Sequence, residues 1–163
     1  MRILLTGTPG VGKTTIAKAL GKKLKYRVIN EKEFAVNNAI GLWSVESEEL
    51  FVPIGKLQKG LSALLAKQDN VIIEGHLLCE IRLKVDAAVL LRLDPEILEA
   101  RLEARGYTAV KAQDNIFCEG IDYCKKHLAR RYAAKKIIEV KARKTIKETI
   151  DYIIDELGKR GKL

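Results

Sequence analysis

This 163-residue sequence predicts one α/β domain built on a parallel sheet, and three observations carry the prediction. Short runs such as Ile3-Leu4-Leu5, Val71-Ile72-Ile73 and Ala87–Leu93 are almost continuously apolar, as strands buried on both faces must be. Amphipathic stretches of helical period separate them. A glycine-rich turn follows directly on the first run.

That turn, Gly7-Thr8-Pro9-Gly10-Val11-Gly12-Lys13-Thr14-Thr15, fits the Walker A pattern without a mismatch. Its glycines free the backbone to bring successive N–H groups against a phosphate, and the helix beginning at Lys13 aims its positive end at the same place. Lys13 is positioned to reach β- and γ-phosphates and the Thr14 hydroxyl to ligate Mg²⁺. A ligand-free Gly-rich turn would leave the Lys-Thr pair unexplained.

Taken in order, strand one is expected over about Ile3–Thr6, helix one over about Lys13–Lys25 and a short strand over Arg27–Asn30. Residues 31 to 55 read as an inserted helical excursion over the nucleotide site rather than a strand, and no arginine occurs between Arg27 and Arg82. Leu57, Leu61, Leu64 and Leu65 share one helix face. Strands follow at Val71–Glu74 and Ala87–Leu93, the latter stopped by Asp94-Pro95, where proline opens a helix. Gly106-Tyr107-Thr108 breaks that helix. A long helical region is expected from about Ala112 to Lys136, then a strand at Ile137–Val140 and a last helix from Thr145 to Leu157 ending at Gly158.

Length and composition agree with one globular domain. No apolar run approaches the about 20 residues that span a bilayer, and Met1-Arg2 runs straight into a strand without a leader, so a cytoplasmic, membrane-free protein is expected. The three cysteines, Cys79, Cys118 and Cys124, lack C-x-x-C spacing and read as reduced thiols. The net charge is +9, and from Lys125 onward thirteen Lys/Arg face five Asp/Glu, which suits either a solvated basic face or a polyanionic partner such as RNA.

A P-loop needs a second carboxylate to organise metal and water. Glu74, closing the apolar run before Gly75-His76, would emerge at the carboxyl edge of the sheet beside the P-loop; a capping or loop carboxylate is the other reading. His76 could position water, touch the nucleotide or metal shell, or only bond a loop. His127 has no partner pattern and reads as a surface residue. Arg92, Arg101 and Arg105 are candidate cations for the transferring phosphoryl group, Arg105 foremost because Gly106-Tyr107 after it reads as a hinge. Each could instead pair with Glu99 or Glu103.

The P-loop, Ile73-Glu74-Gly75-His76, and above all Arg101-Leu102-Glu103-Ala104-Arg105-Gly106-Tyr107 with Asp114-Asn115-Ile116 and Cys118-Glu119, resemble the adenylate kinase isoenzyme 6 family. These are small archaeal and eukaryotic P-loop proteins linked to small-subunit ribosome assembly. The resemblance implies an NMP-kinase fold with a five-stranded parallel core, ATP and Mg²⁺ as cofactors, phosphorylation of AMP or another nucleoside monophosphate, and an ATPase activity. It implies phosphate binding by Gly10, Gly12, Lys13, Thr14 and Thr15, with Mg²⁺ on Thr14 and, through water, Glu74. Residues about 30–53 would form the monophosphate-binding region and about 104–114 the lid, with Arg105 on ATP and Arg143 or Lys144 by the adenine or ribose. A small-subunit platform ribosomal protein and pre-rRNA are the implied partners.

Three departures stand out. The family's strand end commonly reads Asp-x-His, not Glu-x-His; the monophosphate segment has no arginine, leaving Lys32 or Lys56 as substitutes; and its acidic character is thinner, with Glu46, Glu48 and Glu49 in its second half. An ATP-switched assembly factor with incidental kinase turnover is therefore the alternative, and a kinase for another small hydroxyl compound a third.

Overall fold

A computed structural model describes residues 1–45 and 49–161. Five strands, β1 (Arg2–Thr6), β2 (Arg27–Asn30), β5 (Val71–Glu74), β6 (Ala87–Arg92) and β7 (Ile137–Lys141), form one parallel sheet in the order β2-β5-β1-β6-β7. Helices α1 (Lys13–Leu24), α3 (Ile54–Lys67), α4 (Pro95–Ala104), α5 (Ala109–Gly120), α6 (Tyr123–Arg131) and α7 (Ile146–Lys159) flank it. The expected five-stranded P-loop kinase architecture is present.

Alternation along β1 sorts the core into two layers. Ile3 and Leu5 join Leu20, Val89, Leu91, Leu98, Ile153 and Leu157 on one face. Leu4 joins Ile73, Leu90, Leu57, Leu61, Leu65, Leu78 and Leu128 on the other. Both faces of β1 and β5 are thus sealed, which is why those runs are apolar throughout. Pro95 opens α4 at its first turn, as its missing N–H allows.

Two expectations are corrected. The segment after β2 is not wholly helical: α2 (Glu31–Asn37) is followed by a two-stranded antiparallel hairpin of β3 (Leu42–Ser44) and β4 (Glu49–Phe51). Gly41 (φ 119°) makes the hairpin possible, since a Cβ there would sit 2.7 Å from the Phe51 carbonyl oxygen. Glu46 and Glu48 lie outside the described residues. The helix expected over 112–136 is interrupted: α5 ends at Gly120, Asp122 adopts left-handed geometry (φ 60°), and α6 starts at Tyr123. The Asp122 carboxylate is held by Arg92 Nη2 at 2.7 Å, a tertiary bond that fixes the turn. Also, α7 runs one residue beyond Gly158. Among the described residues no helix is long and apolar enough to cross a membrane.

Candidate nucleotide site

The P-loop lies at the carboxyl end of β1, flanked by β5 and β6, the edge at which parallel sheets bind ligands. Gly10 (φ 94°) and Gly12 (φ 101°) take conformations that side chains resist. Gly10 is also needed for packing, because a Cβ would meet Leu98 Cδ1 at 2.7 Å and Leu102 Cδ2 at 2.8 Å. Helix α4 thereby seats directly on the loop.

Lys13 is buried, and its Nζ donates to the carbonyls of Gly7 (2.9 Å) and Thr8 (3.0 Å). Burial pulls its ammonium below the usual lysine range, opposed by the charges of Glu31 and Glu74. The Thr14 hydroxyl donates to Glu74 Oε1 at 2.9 Å. Register explains this reach: Glu74 pairs with Leu5 on one side and Asn30 on the other, so its carboxylate leaves the sheet where β1 becomes the P-loop. Asn30 ties it to the start of α2. Its Nδ2 donates to Glu74 Oε1 (2.6 Å), while its Oδ1 accepts from the Glu33 amide and caps α2. Glu74 is fully buried.

His76 is half exposed, and its Nδ1 lies 3.0 Å from Glu31 Oε1. The same oxygen accepts from the amides of His76 (2.7 Å) and Leu77 (3.0 Å). Glu31 is a residue that sequence reasoning missed: a carboxylate in the first turn of a helix looks like ordinary dipole pairing. Its neighbour in space carries the signal. Gly75 must be glycine because a Cβ there would overlap the Glu31 carboxylate.

Of the candidate arginines, Arg101 touches the loop, its Nη1 donating to the Val11 carbonyl at 3.4 Å. Arg105 is exposed at the C-cap of α4. Arg92 is bound to Glu119, Asp122 and Glu139. Thr15 is exposed, one residue after Thr14 in α1. Glu119 is the second missed residue, buried at the end of α5.

Two cavities open at the carboxyl edge of the sheet, the second lined in part by Thr8 and Pro9 of the loop. The first, about 690 Å³, is bounded by Arg92, Pro95, Lys141, Arg143 and Tyr152, with the Arg143 guanidinium stacked 4.4 Å above the Tyr152 ring; Lys144 is not among its lining residues. The second, about 810 Å³, lies between the hairpin, α3 and α5. Its charged lining is Glu31, Glu80, Asp114, Lys32 and Lys111, with Phe51, Leu57 and Leu77 supplying apolar wall and no arginine among the described lining. Lys56 is not part of that lining either. Cys79 and Cys124 are free, buried thiols nearby. His127 is partly buried rather than a plain surface residue: it stacks on Tyr123, ring centroids 4.2 Å apart, and Arg131 bonds its carbonyl.

A parallel sheet, a Walker A loop and a buried carboxylate on the loop threonine define a nucleotide-binding P-loop protein of the kinase fold. Residues 3–122 match the AAA domain family. A relative from Methanocaldococcus jannaschii named "Putative adenylate kinase" is 39% identical over 127 residues, covering 76% of this chain and 70% of its own length. A relative of the same name from Thermococcus kodakarensis is 38% identical over 122 residues, covering 75% and 66%. The matched part spans about two thirds of the length of these two relatives. The chain belongs to this adenylate kinase-like family. Among solved structures, shikimate kinase from Aquifex aeolicus superposes with a TM-score of 0.63 at 18% identity, covering 99% of this chain and 98% of the other. Deoxyadenosine kinase from M. mycoides with bound dATP gives 0.63 at 17%, covering 97% and 100%. Both share the fold.

Proposed function

We propose that the protein is an ATP-dependent phosphotransferase that phosphorylates AMP or another nucleoside monophosphate and also hydrolyses ATP. The observation that carries this reading is the Thr14 hydroxyl bonded to the buried Glu74 carboxylate at the head of the P-loop. The adenylate kinase name of its relatives supports a nucleotide acceptor.

In this reading the chain is one P-loop kinase domain, with the triphosphate on Gly10, Gly12, Lys13, Thr14 and Thr15 and the nucleoside in the first cavity beside Arg143. The acceptor occupies the second cavity, with residues about 30–53 as its binding region and about 104–114, including Arg105, as the lid. Lys13 leaves its two carbonyls for the γ-phosphate. Arg101 stands by the loop to neutralise oxygens on which charge accumulates. Hard oxygen donors side by side, the Thr14 hydroxyl and the Glu74 carboxylate, fit Mg²⁺. Thr14 would ligate it directly and Glu74 through water. Bound there, Mg²⁺ would offset negative charge on the phosphate oxygens. Asn30 and the Glu31-bound amides hold Glu74 and His76 in place throughout.

A second reading, the ATP-switched assembly factor, is favoured by the lining of the second cavity, where three carboxylates and two lysines offer a phosphate monoester no bidentate partner. The family resemblance in Arg101–Tyr107 and the basic C-terminal third support action on small ribosomal subunits through a platform protein or pre-rRNA. Incubation with Mg-ATP and AMP, CMP, GMP or UMP, following both diphosphates, separates the two. A phosphorylated acceptor supports the kinase. ATP hydrolysis at one rate with or without every monophosphate, and no acceptor phosphorylated, removes it.

A further inference from the structure

One buried carboxylate bonded on both oxygens near the nucleotide site belongs to neither the P-loop nor the strand end. Glu119, with a side chain 2% exposed, lies in the last turn of α5, yet its carboxylate is bound on both oxygens to distant elements. Oε2 accepts from the Thr8 hydroxyl at 2.5 Å across 111 residues of sequence. Oε1 accepts from Arg92 Nε and from the Leu93 amide at 3.4 Å. Arg92 returns a further bond to the Glu119 carbonyl at 3.1 Å and reaches Asp122 and Glu139 with its remaining nitrogens.

Thr8 is itself buried within the Walker A loop, and its carbonyl is one of the two that hold Lys13 Nζ. Arg92 forms part of the wall of the first cavity. One carboxylate thus joins the turn that carries the phosphate-binding lysine, the wall of the neighbouring cavity and the end of α5. Burying an anion is costly unless every lone pair is used, and here the cost is offset by bonds to functional segments rather than to the core.

We infer that Glu119 is a positioning residue for phosphoryl transfer: it fixes the Thr8 turn, and through it Lys13, relative to α5 and Arg92. The inference rests on the reading that ATP phosphates occupy the loop Gly7–Thr15. Glu119 touches no reacting atom and acts through Thr8. Loosening Thr8 should shift the geometry of transfer more than the affinity for ATP, because most loop contacts come from backbone amides that a Thr8 rotamer change leaves in place.

Three variants test this in the full chain: Glu119→Gln, which keeps the size but sets an amide against Arg92; Thr8→Val, which removes only the hydroxyl; and the double variant. Wild-type binding of Mg-ATP, measured first by calorimetry, tests the underlying reading separately: no binding sinks that reading. Given binding, each single variant is expected to lose at least about tenfold in kcat with the KM for ATP within about threefold. The double variant should be no slower than the slower single one, since both cut one link. A kcat within about twofold of wild type in Thr8→Val, a loss confined to KM, or losses that multiply in the double variant would each overturn the inference while leaving ATP binding intact. If Glu119→Gln does not fold, Thr8→Val alone decides by the same kcat and KM criteria.

Discussion

Replacing Gly75 by alanine probes the joint between Glu74 and His76. A Cβ there would overlap Cδ, Cγ and Oε2 of Glu31, whose other carboxylate oxygen accepts from the amides of His76 and Leu77 and lies 3.0 Å from His76 Nδ1. Glu31 is buried, Oε2 has no hydrogen-bond partner and the open space beside it is the second cavity, so the carboxylate clears the new methyl only by giving up those bonds. Overpacking costs about 1–3 kcal/mol, and a bond to a charged group contributes about 1.5–3 kcal/mol. Partial retention of those bonds puts the total near 3 kcal/mol, which in a chain of this size lowers Tm by about 6–12 °C at about 2–4 °C per kcal/mol. Thermal melts followed by circular dichroism measure it. The same substitution in a Glu31→Ala background meets no carboxylate and should cost less than about 1 kcal/mol. A Gly75→Ala melt within about 1 °C of wild type, or an equal cost in both backgrounds, refutes the reasoning.

Other outcomes follow from single features. Lys13 has a folded-state pKa below the ordinary 10.5, so the cost of burying its charge is fully present below that lowered value. Between the lowered value and 10.5 the unfolded chain binds the extra proton, and stability should rise with pH; urea melts should show that rise in wild type relative to Lys13→Met, and parallel curves would contradict it. Lys25 caps α1 in left-handed geometry (φ 58°), so Lys25→Gly should stabilise by about 0.5–1 kcal/mol in the same assay, no gain counting against the cap. If the basic C-terminal third meets RNA, affinity should fall steeply with salt in filter binding; affinity indifferent to salt counts against it.

What was readable in advance tracks how local the cause is. The Walker A loop, the apolar runs at β1, β5 and β6, and Pro95 declare themselves because burial on both faces, or a missing N–H, constrains each residue on its own. Glu74 was legible as the polar end of an apolar strand. The β3–β4 hairpin was not, because three-residue strands are too short to display a period. The break at Asp122 was hidden because its cause is Arg92, thirty residues away. Nothing in the positions of Glu31 and Glu119 themselves marks them as buried; the constraint on each lies with its partner, Gly75 in one case and an arginine ending an apolar strand in the other.

The central claim is that Thr14 and Glu74 organise transfer of the γ-phosphoryl group from ATP. Glu74→Gln retains size and the capacity to accept from Thr14 while removing the charge. Calorimetry with Mg-ATP alongside steady-state ADP formation tests it most directly. ATP affinity within about threefold of wild type with kcat reduced by about 10²-fold or more is the predicted result. Turnover at the wild-type rate would contradict the account.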